Sequence, residues 1–470
     1  MKISKKHLDT LNEILLHNNL VTQILKKIFQ QNGQAFLVGG GVRDLFLELP
    51  IKDLDIEVHN LSSEQLETIL KSFGPVSLVG KFFGVFRLHG LDIDWSLPRA
   101  DSSGRKPKVL IDPLMDLKEA FRRRDVTINS MGIDLANFEL VDPFNGLHDL
   151  QNKILRATDK NLFVEDPLRF YRVMQFIGRF CMEPDNELNE ICARMDISGV
   201  SRERIEEEFK KLFLKSQKPS LAINWLRKIG RLEEILPELY LCIGIPQEPK
   251  WHPEGDVYEH TMQSIDAAAN IEYSSEFERL ILIWAALCHD LGKNGTTKLV
   301  DGKHTSYGHE LISAKLAYEL LGRITYNKDL IDSVCVLVKY HMQPGQLVSQ
   351  NAKISAYKRL ANKLGHNVNM AMLSKLFLSD RLARNPIKGQ PLNEKNLDVE
   401  KFLKKAQDLD ILHHPEAPVL SGKDLLGIVE PGIQMGKILK KAYEIQIEDG
   451  IKNKDELKNK VLENFKSNMN

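Results

Sequence analysis

Two carboxylates, Asp53 and Asp55, stand either side of one leucine in the run KDLDIEV. In a strand, residues i and i+2 project to the same face. Carboxylates that close repel each other unless a cation lies between them or one takes up a proton. Mg²⁺ is the natural third party, because it is held by a pair of carboxylates plus substrate phosphates. A solvated edge strand is the alternative for a bare pair. The run LDIDWSLPR supplies Asp92 and Asp94 at the same parity, and Asp94 is the candidate third ligand. Three acidic groups on neighbouring strands suit two-metal nucleotidyl transfer. One ion activates a hydroxyl there, and the other holds the triphosphate and stabilises the leaving pyrophosphate.

Just upstream, LVGGGVRD follows a short apolar strand and opens a helix. A glycine turn at that place lets backbone N–H groups approach a phosphate, and a plain tight turn is the alternative. Arg43, one turn into the helix, is a candidate phosphate partner. The run RRRDVTINSM carries Arg122, Arg123 and Arg124, which read as a solvated face on their own. With Asp125 and Asn129 directly behind them they read as a triphosphate and ribose clamp.

A second set of chemically able residues lies further on. His260, His289, Asp290, His309, His341 and Asp380 sit in VYEHT, AALCHDLGK, SYGHE, VKYHMQ and LSDRLARN. A lone histidine on an apolar helix is usually a core residue. An adjacent His–Asp closing a very apolar helix is different. Burying that carboxylate unpaired costs several kcal/mol or forces its protonation. A bound metal removes the conflict.

These residues need elements to carry them. A chain of 470 residues is too long for one ordinary core. Residues 1–32 show a broken apolar stripe, from Leu8 to Ile28, and predict an N-terminal amphipathic helical extension. Over 33–141, short β-branched runs alternate with Gly and Pro, which predicts a mixed α/β sheet head. Beyond Asp142 the pattern is almost wholly helical. A neck over 142–245, a histidine-rich block over 246–391 and a Lys/Glu-rich tail over 392–470 follow, with the Pro-rich segment Leu241 to Asp256 expected as a linker. The fold class is therefore an α/β head followed by all-α domains.

Lys+Arg and Asp+Glu both number 64, so no global charge marks a non-specific nucleic-acid coater. The five cysteines are scattered with no CxxC pair, as in a reduced, cytoplasmic protein. The start MKISKKHLDT lacks a signal peptide's apolar segment, and the apolar run Leu280 to Cys288 is too short to span a bilayer. No DNA or membrane partner is expected.

The motifs GGGVRD…KDLDIEV, RRRDVTINSM, VDPFNGLHDLQNKILRATD, EDPLRFYRV and SRERIEEEF occur here in sequence order. In order and spacing this set resembles the class II tRNA nucleotidyltransferases, the CCA-adding enzymes, which share a superfamily with bacterial poly(A) polymerases. The tail run LSGKDLLGIVEPGIQMGKILKKAYEIQ is similar too. The resemblance implies a nucleotidyltransferase head, tRNA, CTP and ATP as substrates, and Mg²⁺ at Asp53 and Asp55, with Asp94 the least uniform ligand. It implies that Gly40 and Arg43 contact nucleotide phosphates, that Arg124 clamps the nucleotide, and that Arg169 and Arg172 sit at its base. C and A both present an amino donor beside a ring-nitrogen acceptor, whereas U and G present the opposite order. An Asp166 acceptor beside an Arg169 donor would therefore select C and A. Helical ion pairs of this spacing are also commonly structural. One departure stands out: SLPRADSSGRKPKV is short and lacks the histidine that related bacterial loops carry, which leaves open CCA, CC or A addition.

The order H…HD…D resembles the HD phosphohydrolase superfamily. It implies one divalent metal on His260, His289, Asp290 and Asp380, and a second metal or an oriented phosphate at His309 and His341. Lys293 is placed to bind substrate phosphate. Mixed His/carboxylate ligation suits Mn²⁺, Ni²⁺, Fe²⁺, Co²⁺ or Zn²⁺ more than Mg²⁺ alone. The alternative is a degenerate HD fold kept as a spacer. Bifunctional CCA-adding proteins with phosphodiesterase or phosphatase activity join the same two parts. Two other functions stay open, a poly(A) polymerase and an RNA-binding scaffold with only the HD domain active. The tail mixes both signs of charge, which leans toward tRNA. Arg202, Arg204, Lys210, Lys211 and Lys215, with Lys437, Lys440 and Lys441, are the candidate phosphate-backbone contacts.

Overall fold

The computed structural model describes residues 2–16, 18–51, 54–79, 84–101 and 109–467. Asp53 lies outside the described residues, as do residues 102–108 of the short loop. The chain separates into two compact units, Met1–Phe209 with Lys228–Gly230, and Lys210–Arg227 with Arg231–Asn470.

The first unit is built on a seven-stranded mixed sheet. Its strands are β1 (Gln34–Val38), β2 (Leu54–His59), β3 (Val76–Val79), β4 (Val85–Leu88) and β5 (Ile93–Ser96). A separate hairpin of β6 (Arg99–Asp101) and β7 (Val109–Ile111) precedes β8 (Gly132–Asp134) and β9 (Leu140–Val141). The order across the sheet is β3-β4-β5-β2-β1-β8-β9. The β2–β5 neighbours are parallel and the other pairs antiparallel.

Register decides what the sheet displays. Val38 lies opposite Asp55, Asp55 beside Asp94, and Asp94 opposite Arg87. Side chains alternate along a strand, so Asp55, Glu57 and His59 share the face that carries Val38 and Phe36. Phe36 and Val38 pack there against Ala120 and Phe121, with Met115, Leu117, Val141 and Phe144 around them. The acidic row therefore borders a dry cluster, which fixes the strand parity, because a one-residue slip would turn the carboxylates into the opposite face.

The N-terminal stripe departs from the expected single helix. A helix over Lys5–Leu11 passes into a π-helical turn, Asn12–Leu16, and a second helix spans Asn19–Gln30. Asn18 has extended backbone, and its side chain accepts a hydrogen bond from the Leu20 N–H, so it starts a new helix. The apolar face survives the break: Leu11, Leu15, Val21, Ile24 and Ile28 are buried.

Two short pairings interrupt the helical region beyond Asp142. In the first unit β10 (Ile154–Leu155) runs parallel to β11 (Glu183–Pro184). In the second, β12 (Lys298–Val300) and β13 (Lys303–Thr305) form a hairpin. Its turn residues, Asp301 and Gly302, both have positive φ, at 49° and 74°. This is the Asp-Gly pattern that a two-residue turn requires.

The second unit is otherwise helical. Helices Val257–Ala269, Glu276–Cys288, His309–Ile324, Lys328–Tyr340 and Met370–Leu382 pack together. Leu280 to Cys288 is buried throughout, so that run is a core helix. The segment Leu241 to Asp256, expected as a linker, folds within this unit. Its last residue caps the next helix: Asp256 Oδ1 accepts from the Glu259 N–H (2.8 Å) and Oδ2 from the Gly244 N–H (2.7 Å). The tail has its own core of Leu425, Met435, Ile438, Leu457 and Val461. Among the described residues, no helix is long and apolar enough to cross a membrane.

Candidate active sites: a carboxylate row and a histidine cluster

The first site lies at the end of β1, where Gly39 turns the chain into the helix Gly40–Phe46. Gly39 has φ +72°, a conformation that L side chains rarely adopt. A Cβ there would also stand 2.8 Å from an Arg124 guanidinium nitrogen and 3.8 Å from Asp55 Oδ2. The Arg124 head and the Asp55 carboxylate thus flank the glycine turn. At Gly40, the glycine singled out from sequence, a Cβ would stand 3.3 Å from Arg43. The less permissive position is Gly39.

Asp94 lies beside Asp55, and its Oδ1 is bound by Arg87 at 2.7 Å. A residue not singled out from sequence, Glu57, anchors the arginines. Its carboxylate is fully buried and bound by His59 (3.2 Å), Arg123 (3.3 Å) and Arg124 (3.4 Å). Burial pushes its pKa up, but the His59 hydrogen bond and the Arg124 and Arg123 charges prevail and hold it at about 2. The parity that pairs Asp53 with Asp55 also reaches Glu57, so this residue was open to the same argument.

Asp125 and Asn129 sit behind the arginines, both buried. Asp125 accepts from Arg172 Nε (2.6 Å), from the Asn129 amide (2.9 Å) and from the Val126 N–H (2.8 Å). Burial opposes its charge, and the Arg172 guanidinium and these donors overcome it, leaving a pKa of about 2. Asn129 Oδ1 in turn accepts from Arg43. The Arg43 guanidinium is held by Asp44 at 2.7 Å and lies over the Phe180 ring at 4.7 Å. Asp125 and Asn129 therefore hold Arg172 and Arg43 in place.

Asp166 and Arg169 are engaged separately. Arg169 donates to the backbone carbonyls of Leu162 and Arg123. Asp166 accepts from the Leu168 N–H (3.1 Å) and from Arg204 (3.3 Å). Arg204, a candidate phosphate-backbone contact by sequence, is thus a carboxylate partner. Arg122 is drawn away from the clamp by Asp159 at 2.7 Å.

The second site gathers all six residues expected of it. His260 Nε2 lies 3.1 Å from Asp380 Oδ1 and 3.2 Å from His289 Nε2. Asp290 faces both ways: Oδ2 is 3.3 Å from His289 Nε2, and Oδ1 is 3.1 Å from His309 Nε2. His309 and His341 bring their Nε2 atoms to 3.2 Å of each other. Ligand atoms of His260, His289 and Asp380 form one compact group, and those of Asp290, His309 and His341 another.

The opposite ring nitrogens explain this convergence. His289, His309 and His341 each place Nδ1 on a backbone carbonyl, of Ala286 (2.8 Å), Ser306 (2.7 Å) and Val338 (2.7 Å). A carbonyl only accepts, so Nδ1 carries the proton and Nε2 offers a lone pair inward. Lone pairs facing one another beside two carboxylates fit a divalent cation, with imidazole and carboxylate the donor set of transition metals. Burial, with the His289 and His309 charges, lowers His341 to about 3, which keeps its ring neutral, as a metal-binding imidazole must be. Burial opposes protonation of His260 and His309 also, but their carboxylate hydrogen bonds raise both. Lys293 sits on Asp290 Oδ2 at 2.7 Å, and Arg384 on Asp380 at 2.9 Å.

Three side chains here were not reached from sequence. Glu254 and His252 come from the segment read as a linker, and both are largely buried beside His260. Gln247, from the same segment, holds Lys293 at 2.7 Å. The available signal was HPEGDVYEH, an acidic residue six positions before His260, a candidate metal ligand.

Comparison with known proteins matches domains that contain both sets of residues. Residues 35–156 match the poly A polymerase head domain, 188–242 the probable RNA and SrmB-binding site of polymerase A, and 257–384 the HD domain. The multifunctional CCA protein of Mannheimia succiniciproducens is 34% identical over 322 residues, covering 66% of this chain and 74% of that protein. The Methylobacillus flagellatus protein of the same name is 34% identical over 328 residues, covering 68% and 76%. Among solved structures, the Bacillus stearothermophilus CCA-adding enzyme in complex with CTP aligns with TM-score 0.67 at 17% identity, covering 97% of this chain and 99% of that one. The Thermotoga maritima CCA-adding enzyme complexed with tRNA aligns with TM-score 0.59 at 20% identity, covering 97% and 98%. At such identities the likeness is one of fold. With its mixed-sheet head, helical remainder and HD domain, this chain belongs to the multifunctional CCA protein family, as a class II CCA-adding enzyme.

Proposed function

We propose that this chain adds CMP and AMP from CTP and ATP to the 3′ acceptor end of tRNA without a nucleic-acid template. The observation that carries the reading is the acidic row, Asp55 beside Asp94, at a glycine turn flanked by the Arg124 guanidinium. Asp53 and Asp55, with Asp94, would hold Mg²⁺, which when bound lowers the pKa of the attacking hydroxyl and offsets charge on the pyrophosphate. The remaining work falls to the chain's own groups. Glu57 fixes Arg124 toward the triphosphate, while Asp125 and Asn129 fix Arg172 and Arg43 below it. Asp166 and Arg169 would present an acceptor and a donor to the base edge on giving up the Arg204 and backbone-carbonyl partners they hold here, and Gly40 would let the backbone close on the phosphates. Lys210, Lys211 and Lys215, with Lys437, Lys440 and Lys441, contact the tRNA backbone.

The histidine cluster supports a second activity, metal-dependent hydrolysis of a phosphoester such as a 2′,3′-cyclic phosphate. His260, His289, Asp290 and Asp380 would hold one transition metal, and Asp290, His309 and His341 another. Such an ion supplies an activated water. Lys293 offers its charge to the substrate phosphate. We divide the chain by these activities into a head over 33–141, a neck over 142–245, an HD domain over 246–391 and a tail. Free thiols, with Cys242 and Cys288 pushed up by burial and so unreactive, suit the cytoplasm.

The test supplies tRNA lacking its 3′ end with labelled CTP and ATP, singly and together. Two C and then one A are expected from the pair of nucleotides. Long A tracts from ATP alone would overturn the reading in favour of a poly(A) polymerase. C addition that stops before A would reassign it as a partial enzyme.

A further inference from the structure

Three of the four inward-facing histidines rest Nδ1 on a backbone carbonyl, and His260 does not. Its Nδ1 lies 2.6 Å from Glu254 Oε1, and His252 Nδ1 reaches the same oxygen at 2.9 Å. The two rings meet edge to face, with centroids 4.8 Å apart. Glu254 and His260 are fully buried at their side chains, and His252 is nearly so. Glu254 Oε2 is buried without a hydrogen-bond partner. A carboxylate stripped of water to this degree is costly unless its charge is used.

We propose that Glu254 is a positioning residue for the HD metal site, acting through His260, with His252 as the brace that holds the carboxylate. The inference rests on the metal-site reading above. An ionised carboxylate is acceptor-only, so both rings turn an N–H toward it. That sets the His260 tautomer, directs its Nε2 lone pair at the Asp380 and His289 side of the cluster, and makes the imidazole a stronger donor than a carbonyl partner does. His252 adds a second N–H to the same oxygen, which confines the carboxylate to one rotamer. The segment Leu241 to Asp256 thereby becomes part of the metal centre.

The test measures Mn²⁺ binding to the full chain by calorimetry, with ¹⁵N-histidine spectra of the metal-free protein reading the tautomers. E254L removes both the hydrogen bond and the charge, and roughly a 10–100-fold loss of Mn²⁺ affinity is expected, the usual cost of losing an outer-shell partner. A mixed tautomer at His260, with His289, His309 and His341 unchanged, is expected beside it. E254Q keeps an acceptor oxygen and the shape, so it should restore the His260 tautomer but not the full affinity. This isosteric variant keeps the test valid if E254L fails to fold. Wild-type affinity and tautomers in both variants would overturn the inference while leaving the metal site standing. A wild-type chain that binds no Mn²⁺ would overturn the site and the inference together.

Discussion

At the scale of single residues, Glu57 shows how one buried carboxylate organises a site. Three cationic or hydrogen-bonding partners converge on it, and its pKa is held at about 2 despite full burial. The folded value lies below the ordinary glutamate value. The ionised form therefore stabilises the fold above pH about 4.5, and that contribution is lost as pH falls from there toward 2. It amounts to roughly 3 kcal/mol at neutral pH by linkage. We predict that E57Q destabilises the first unit by about this order at pH 7, and that the gap to wild type closes as pH is lowered toward 2. Urea unfolding at stepped pH checks it. A gap that stays constant with pH would mean that the variant acts through packing. The nucleotide affinity of E57Q should also fall, because Arg123 and Arg124 lose their anchor.

At the scale of elements, the helix Val257–Ala269 is tied near its C-terminal end by a second buried carboxylate, whose pKa shift has the opposite sign. Asp266 accepts from the Ser220 N–H (2.9 Å) and the Ser220 hydroxyl (2.6 Å), yet burial outweighs both and raises its pKa to about 7. A raised carboxyl stabilises the fold below its unfolded value near 4, and the contribution is lost as pH rises through about 7. We predict that D266N, always neutral, becomes more stable than wild type above pH 7, by a few kcal/mol at most. Thermal melts across pH 4 to 8 should show the two curves diverging upward in pH, and parallel curves would refute it. Elements also mark how much was legible. Strand parity pointed to Asp55, and an apolar helix ending in His–Asp pointed to the cluster, because both rest on local periodicity. The Asp94–Arg87 pair needed the β4–β5 register, and although Asp94 was expected on a strand neighbouring Asp55, setting the two side by side needed a parallel pairing of strands some forty residues apart. Neither is local. Glu254 reaches His260 through a loop whose Pro and Gly content read as a spacer. The β12–β13 turn was readable from Asp301–Gly302, but surrounding helical periodicity masked it.

At the scale of the whole molecule, the two sites sit in different compact units and use different donor sets. Asp55 belongs to a carboxylate row suited to a hard ion, whereas Asp290 shares its cluster with four imidazoles. The two activities should then separate cleanly. D55A is expected to lower nucleotide addition by at least about 10³-fold, in line with losing a group that stabilises the transition state. Hydrolysis of a 2′,3′-cyclic phosphate by D55A should stay at the wild-type rate. D290A should do the reverse, because the Asp290 carboxylate reaches both halves of the cluster. Metal removal sharpens the distinction. A chelator should stop both reactions, Mg²⁺ alone should restore nucleotide addition, and Mn²⁺, Ni²⁺ or Co²⁺ should be needed for hydrolysis. Imidazole ligands favour those softer ions, while triphosphate oxygens accept Mg²⁺ readily. Loss of both activities in D290A would show that the HD metal supports the fold as a whole. Hydrolysis that survives in D290A would assign the phosphoesterase elsewhere and return the cluster to a structural role.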